Sequence, residues 1–354
     1  MISYFSSDVN VYNSEITKEK LNLMRSFYPP SLEYIQNKYR IECNYCKKNS
    51  IKNVLELLDG LTVVEEENTN DLLNWVIEAE YRYLLQNDEV PLNYLKDQLS
   101  SLKNTDLNKE VLEIKSGNYQ DPKFFKYVRK EENKERILYS LGASERVLTT
   151  YIMYEINKVL YGEYASSCSY SYRLNYNFYQ RDIFVSWNSL WLQYVKDIED
   201  KILNDAYDDY YILKLDIKSF YDNINQIFLR EILYNKPTKL IEIVLNNLDE
   251  KNKKTYKNMC EYLLYVSKST SEKGVPQGPA YARYLAEIYL SSLDRLILDH
   301  IDNNFEHYFR YVDDMVIILK GKEEAHALLN IINSHLNLYD LNLNDKYLEG
   351  YVLR

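Results

Sequence analysis

Apolar residues recur along this chain at two periods, and the places where the period changes mark its elements. Helical spacing runs through residues 20–28, 51–61, 71–85 and 92–102. In the third of these, Leu72, Leu73, Val76, Ile77 and Leu84 share one face, while Glu78, Glu80 and Arg82 point elsewhere. A polar stretch, Asn104 to Asp121, carries Gly117-Asn118 near its end and is followed by Pro122, so a boundary is expected there. Further on, Tyr211-Ile-Leu-Lys-Leu is an apolar strand pattern that ends on Asp216, and Asn225 to Tyr234 then turns helical. After Gly278, Leu285, Ile288, Leu293 and Leu296 return at helical spacing, so a loop feeds a long helix. Met315 to Leu319 is an apolar, β-branched run directly behind Asp313 and Asp314. It predicts a hairpin: a strand, a tight turn carrying the two aspartates, then a buried strand. There is no internal repeat and no low-complexity tract.

Three carboxylates therefore fall at strand ends. Two neighbouring aspartates in a turn repel each other unless a cation sits between them, and their hard oxygens suit Mg²⁺. Asp-Asp also occurs in ordinary solvated turns, and Asp216 by itself reads first as a helix N-cap after a strand. Taken together, one carboxylate at a strand end facing two more is the minimal site for two metals. Such a pair clamps the attacking and leaving oxygens of a phosphoryl displacement. Between them lies Gly274-Val-Pro-Gln-Gly278. The chain has only eight glycines, so two of them flanking Val-Pro276-Gln277 point to a loop with close backbone approach or unusual φ.

These residues carry a resemblance. In order, LKLDIKSFYDNI (213–224), GVPQG (274–278) with its following helix, and FRYVDD (309–314) resemble motifs A, B and C of the reverse transcriptase family. Arg136-Ile-Leu-Tyr, Ser144-Glu-Arg-Val-Leu148 and Ser169-Tyr-Ser-Tyr-Arg173 are similar to its fingers segments, and Leu341-Asn-Leu-Asn344-Asp-Lys346 to motif D. The resemblance implies an α+β fold: a right-hand polymerase palm (211–354, motifs A to D) and fingers (119–210), joined to a helical N-terminal extension (1–118). It implies attack of a primer hydroxyl on the α-phosphate of a dNTP. Two Mg²⁺ ions, or Mn²⁺ in their place, would be held by Asp216 and Asp313, with Asp314 as the third carboxylate. Arg136 is the candidate for the triphosphate, because a guanidinium fork matches phosphate geometry. Lys126, Arg129 and Lys130 are alternatives. Tyr221, five residues after Asp216, would be the sugar gate. Gln277 and Gly278 would border the nucleotide, and Lys346 would act near the leaving pyrophosphate or be a surface lysine.

One departure bears on the subgroup. Many members place Ser-Pro or a similar pair after the motif B glycine, whereas this chain has Ala282-Arg283 with Glu287 four residues on. That is similar to the abortive-infection (antiphage defence) polymerases. On that reading Arg283 would face and bind the nucleotide; the alternative is an i,i+4 surface ion pair worth about 0.2–0.5 kcal/mol. The aromatic segment Phe184 to Trp191 also looks like that group, or is an amphipathic core helix. Two activities stay open: a protein-primed, template-independent DNA polymerase in antiphage defence, and a templated reverse transcriptase of retron or group II intron type. The partners are dNTPs, a DNA product and, for the templated enzyme, an RNA template. A non-catalytic scaffold is the third class, and the intact carboxylate set argues against it.

Composition narrows the partners further. At 354 residues the chain has room for two domains, and its net charge is −10. Sequence-independent duplex binding draws on many Lys and Arg contacts, so nucleic-acid contact must be local, or helped by a partner, or by the metals. Basic residues gather between Lys123 and Arg136, where they fit phosphate, and at Lys251, Lys253, Lys254 and Lys257, which reads as an exposed face. Tyrosine is abundant at 37 residues, alongside Asn, Lys and Ile, as an AT-rich genome would give, so abundance nominates no single priming tyrosine. Four cysteines suggest no disulfide framework, and Cys43-Asn-Tyr-Cys46 has no second pair nearby for zinc. MISYFSSDVN has no signal core and no long uncharged apolar run occurs, so a soluble, cytoplasmic protein without membrane partners is expected. The chain ends at Arg354, just past motif D. The resemblance therefore implies an absent thumb, supplied by a longer protein, a homo-oligomer or a second polypeptide.

Overall fold

The computed structural model describes residues 66–87, 91–102, 104–131, 134–164, 168–175, 181–204, 207, 210–235, 239–271, 273–301, 307–344 and 349–352. The helices expected over 20–28 and 51–61, the Cys43–Cys46 pair and Lys346 lie outside them. Three helices lead: α1 (Glu66–Gln86), α2 (Leu92–Ser101) and α3 (Asn104–Ser116). The first two follow the helical spacing read from the sequence. The third lies where a boundary is expected. Leu107, Val111 and Ile114 are buried, and their i, i+4, i+7 spacing is enough to dock an otherwise polar helix. The Gly-Asn signal does mark its end. Gly117 has φ +87, its N–H donates to the Ile114 carbonyl, and the Asn118 N–H donates to that of Glu113.

An antiparallel hairpin follows, β1 (Phe124–Glu131) and β2 (Lys134–Leu141), with Arg129 opposite Arg136. Helix α4 (Ala143–Tyr164) is buried nearly all round, Arg146, Thr149, Thr150, Glu155 and Asn157 included, and packs against α1, α2 and α3. Then come α5 (Trp187–Ile202), β3 (Tyr211–Leu215), the short α6 (Phe220–Asn223), and α7 (Gln226–Arg230) running into a π-helical turn, Glu231–Asn235. Helices α8 (Lys239–Asn247), α9 (Glu250–Thr270) and α10 (Ala280–His300) precede β4 (Tyr308–Tyr311), β5 (Asp314–Leu319), α11 (Lys322–Leu338) and β6 (Glu349–Val352).

The last four strands form one sheet in the order β4-β5-β3-β6, antiparallel throughout. Its central strands are apolar on both faces because both faces are covered. Leu213, Leu215, Met315 and Ile317 join the main core, against which α11 packs. Ile212, Phe309, Val316 and Ile318 lie under Tyr194, Val195, Ile198 and Ile202 of α5. That main core runs without a break from Leu73 to Leu343, so α1 and the sheet share it. No helix of the described residues is long and apolar enough to cross a membrane.

Candidate active site

Strand register brings the three carboxylates to one end of the sheet. Leu215 pairs with Met315, so one step further Asp216 comes level with Asp314, the first residue of β5. Tyr311 pairs with Asp314, leaving Val312-Asp313 as a two-residue turn. Asp314 therefore belongs to the strand, and Asp313 alone of the two lies in the turn. Asp216 is held by Asn344, whose side-chain amide donates to Oδ2 at 2.9 Å and whose backbone N–H donates to the Asp216 carbonyl at 2.8 Å.

The turn is strained and held from below. Val312, a β-branched residue, has φ +56. Its N–H donates to Ser171 Oγ at 2.9 Å, and its carbonyl accepts from Arg310 Nη1 at 3.0 Å. Arg310 is 1% exposed. It makes a bidentate pair with Asp294, 2.7 Å at both oxygens, and lies 3.0 Å from Glu287. Ser169 and Ser171 also donate to Glu287, at 2.7 and 2.6 Å. Burial opposes the charge on Arg310, but Asp294 and Glu287 more than offset it and hold the guanidinium protonated. Sequence reasoning assigned no role to Arg310, Asp294, Ser169 or Ser171. The available signal was an arginine at a core-facing strand position, with two acids seven residues apart on one helix face.

Electrostatically the carboxylates form one group. Burial first, then Asp314 and Asp216, pushes Asp313 up to about 7, while Arg136 works in the opposite direction. Burial and then Asp216 push Asp314 up to about 6, against Lys214. Crowded hard-oxygen donors whose repulsion raises their pKa values have the chemistry to hold divalent cations. They are not gathered into a ready-made cage: among the described residues no cluster of three or more His, Cys, Asp or Glu has metal-site geometry.

The glycine loop is clamped on two sides. Gly274 has φ +65, and a Cβ there would run into the Tyr221 carbonyl oxygen, which accepts from Val275 N–H at 3.0 Å. Gly278 has φ +128, and its Cβ would meet the Tyr139 carbonyl. The Gln277 carbonyl accepts from Tyr139 N–H at 2.8 Å, and the Gly278 carbonyl accepts from the Tyr83 hydroxyl at 2.8 Å. Tyr221, on α6, is buried and its hydroxyl has no hydrogen-bond partner. Burial and then Tyr172 hold that hydroxyl well above its ordinary pKa, with Asp313 and Arg283 within electrostatic reach.

Arg283 and Glu287 do not act as a pair. Glu287 is buried and taken by Arg310 and the two serines. Arg283, half-buried, instead donates to Asn87 Oδ1 at 3.1 Å and lies over the rings of Tyr172 and Tyr83. Arg136 is exposed on β2, with its charge felt at Asp313. Trp191, in the aromatic segment, is an α5 residue stacked edge-on against Tyr311 at 4.8 Å.

Comparison with known proteins adds family and fold context. No curated protein matches the chain. Among solved structures, telomerase from Candida albicans in complex with a TWJ fragment of telomeric RNA is 13% identical, with a TM-score of 0.44. That match covers 68% of this chain and 44% of that one. Apo telomerase from Candida tropicalis truncated from its C-terminal domain is 16% identical, TM-score 0.43, covering 70% and 54%. This chain thus spans about half the length of those it resembles. A family model, Reverse transcriptase (RNA-dependent DNA polymerase), matches residues 128–349, from β1 to the start of β6. That is more than half of the chain, and the protein belongs to the reverse transcriptase (RNA-dependent DNA polymerase) family.

Proposed function

We propose that this chain is a DNA polymerase that transfers nucleotides from dNTPs, with the four-stranded sheet as its palm and the β1–β2 hairpin as part of its fingers. The observation that carries the reading is the convergence of Asp216, Asp313 and Asp314, whose mutual repulsion a divalent cation would relieve. Reverse transcriptase family polymerases generally use divalent metal ions, which lower the pKa of the attacking hydroxyl and neutralise the triphosphate. Here Asp216 and Asp313 would hold them, with Asp314 as the third carboxylate. Arg136 would bind the triphosphate, a reading supported by its exposure and by the reach of its charge to Asp313. Tyr221 would exclude a 2′-hydroxyl, and the Gly274–Gly278 loop would edge the nucleotide.

Template-independent, self-primed synthesis in antiphage defence is a second reading. It is favoured by the net charge of −10, which leaves a long primer–template duplex few phosphate partners. The test is incubation with labelled dNTP and Mg²⁺, with and without primer and RNA template, resolved on a denaturing gel before and after protease. Label that stays with the protein until proteolysis supports self-priming. Extension only of an added primer supports templated synthesis. No incorporation in any arm overturns the polymerase reading.

A further inference from the structure

Helix α1 lies upstream of the family match, which begins at residue 128, yet it ends against the glycine loop. It is anchored first. Glu80 and Arg146 pair at 3.0 Å with side chains 2% and 1% exposed, Arg146 also reaches Ser140 Oγ at 3.2 Å, and the Thr150 hydroxyl donates to Glu80. A buried pair with its remaining hydrogen bonds met fixes orientation, since breaking either side strands a charge. The segment that follows is therefore held in register with α4.

What this register delivers is specific. Tyr83, 4% exposed, gives its hydroxyl to the Gly278 carbonyl, and the Arg283 guanidinium lies 5.2 Å from its ring centre. On Arg283, Tyr172 supplies a second ring at 4.9 Å. Asn87, just past the end of α1, accepts from Arg283 Nη2 at 3.1 Å through Oδ1 and donates through Nδ2 to the Tyr83 carbonyl at 2.8 Å. Its own backbone carbonyl accepts from Arg129 Nη2 at 3.0 Å. Two guanidiniums, one from the hairpin and one from α10, thus converge on the carbonyl end of α1, where the helix dipole favours cations. The charge of Arg283 is felt at Tyr221.

We propose that Tyr83 and Asn87 are positioning residues for the incoming nucleotide: Tyr83 sets the Gly278 edge of the pocket, and the two together aim Arg283 into it. This rests on the polymerase reading. Nucleotide affinity, and not the chemical step, is what the clamp controls.

The experiment measures dNTP–Mg²⁺ binding by calorimetry alongside steady-state incorporation, for wild type, Tyr83→Phe, Asn87→Ala and Asn87→Asp. Tyr83→Phe keeps the ring and removes one hydrogen bond. It and Asn87→Ala should each raise Kd and KM for dNTP about fivefold or more, with kcat within about twofold. Asn87→Asp keeps an acceptor under Arg283 and should restore affinity. A melting temperature lowered in parallel with kcat, at unchanged Kd and KM, would mean a merely structural contact and overturn the proposal, as would affinities equal to wild type. A wild-type chain that binds dNTP but incorporates none overturns only the polymerase reading, and the Kd comparison still decides this one. A wild-type chain that binds no dNTP overturns both.

Discussion

Asp313 carries a charge that the metal-free protein does not favour. Its carboxyl sits at about 7, against an ordinary 3.8. A raised acid pKa means that the folded state binds the proton more tightly than the unfolded chain does. The penalty is therefore absent below about pH 4, grows as pH rises through 7, and is fully present above it. In chelator, Asp313→Asn should melt several degrees above wild type at pH 8 and close to it at pH 4, while losing nucleotide incorporation. A variant less stable than wild type at pH 8 would contradict the repulsion. Tyr221 allows a similar separation of packing from function. Its hydroxyl is buried without a partner, and such a group costs about 1–3 kcal/mol. Tyr221→Phe should be as stable as wild type or more so, and still reject ribonucleotides. Tyr221→Ala should lose stability and admit them, read by rNTP against dNTP incorporation.

At the scale of elements, the glycine loop is the most constrained segment described. Gly274→Ala and Gly278→Ala each combine a left-sided φ with a collision against backbone, which cannot swing aside as a side chain can. Both should lower the melting temperature and abolish incorporation. Gly321→Ala, with open space around it and an extended φ of −173°, is the control: as the N-cap of α11 it should lose only about 1 kcal/mol and keep incorporation. The loop, the strand ending on Asp216 and the hairpin were legible in the sequence, because each is local, although the two adjacent acids divide between them, Asp313 in the turn and Asp314 in the strand. What escaped was set by contacts between distant segments. Tyr83 meets Gly278 across 195 positions. The i,i+4 spacing of Arg283 and Glu287 suggested a pair, but burial gave Glu287 a better partner in Arg310. The α3 helix was hidden by composition, although Leu107, Val111 and Ile114 already had the right period.

For the whole molecule, the proposed polymerase would have to hold nucleic acid on an acidic chain, by local contacts or with help from a partner or the metals. The β1–β2 hairpin exposes Lys126, Arg129 and Arg136, and the charge of Arg136 reaches Asp313. Proteins making about 6–10 phosphate contacts lose about 10³- to 10⁵-fold in affinity between 50 and 200 mM salt. Primer–template affinity here, followed by fluorescence anisotropy, should fall by less than about 10²-fold over that range. A steeper slope would show a larger basic footprint than the described residues present.

The buried triad under the aspartate turn also limits how this protein can change over generations. Replacing Arg310 alone leaves Glu287 and Asp294 charged in the core, a loss of about 3–5 kcal/mol from a total that for most domains is only about 5–15 kcal/mol. Replacing either acid alone leaves the arginine with a single carboxylate partner. An apolar trio of matching volume could be equally stable, but a path to it that begins at Arg310 passes through two unpaired buried carboxylates. It would also surrender the donor to the Val312 carbonyl. The three positions are therefore expected to be inherited as a block, kept by the depth of the valley around them as much as by catalysis.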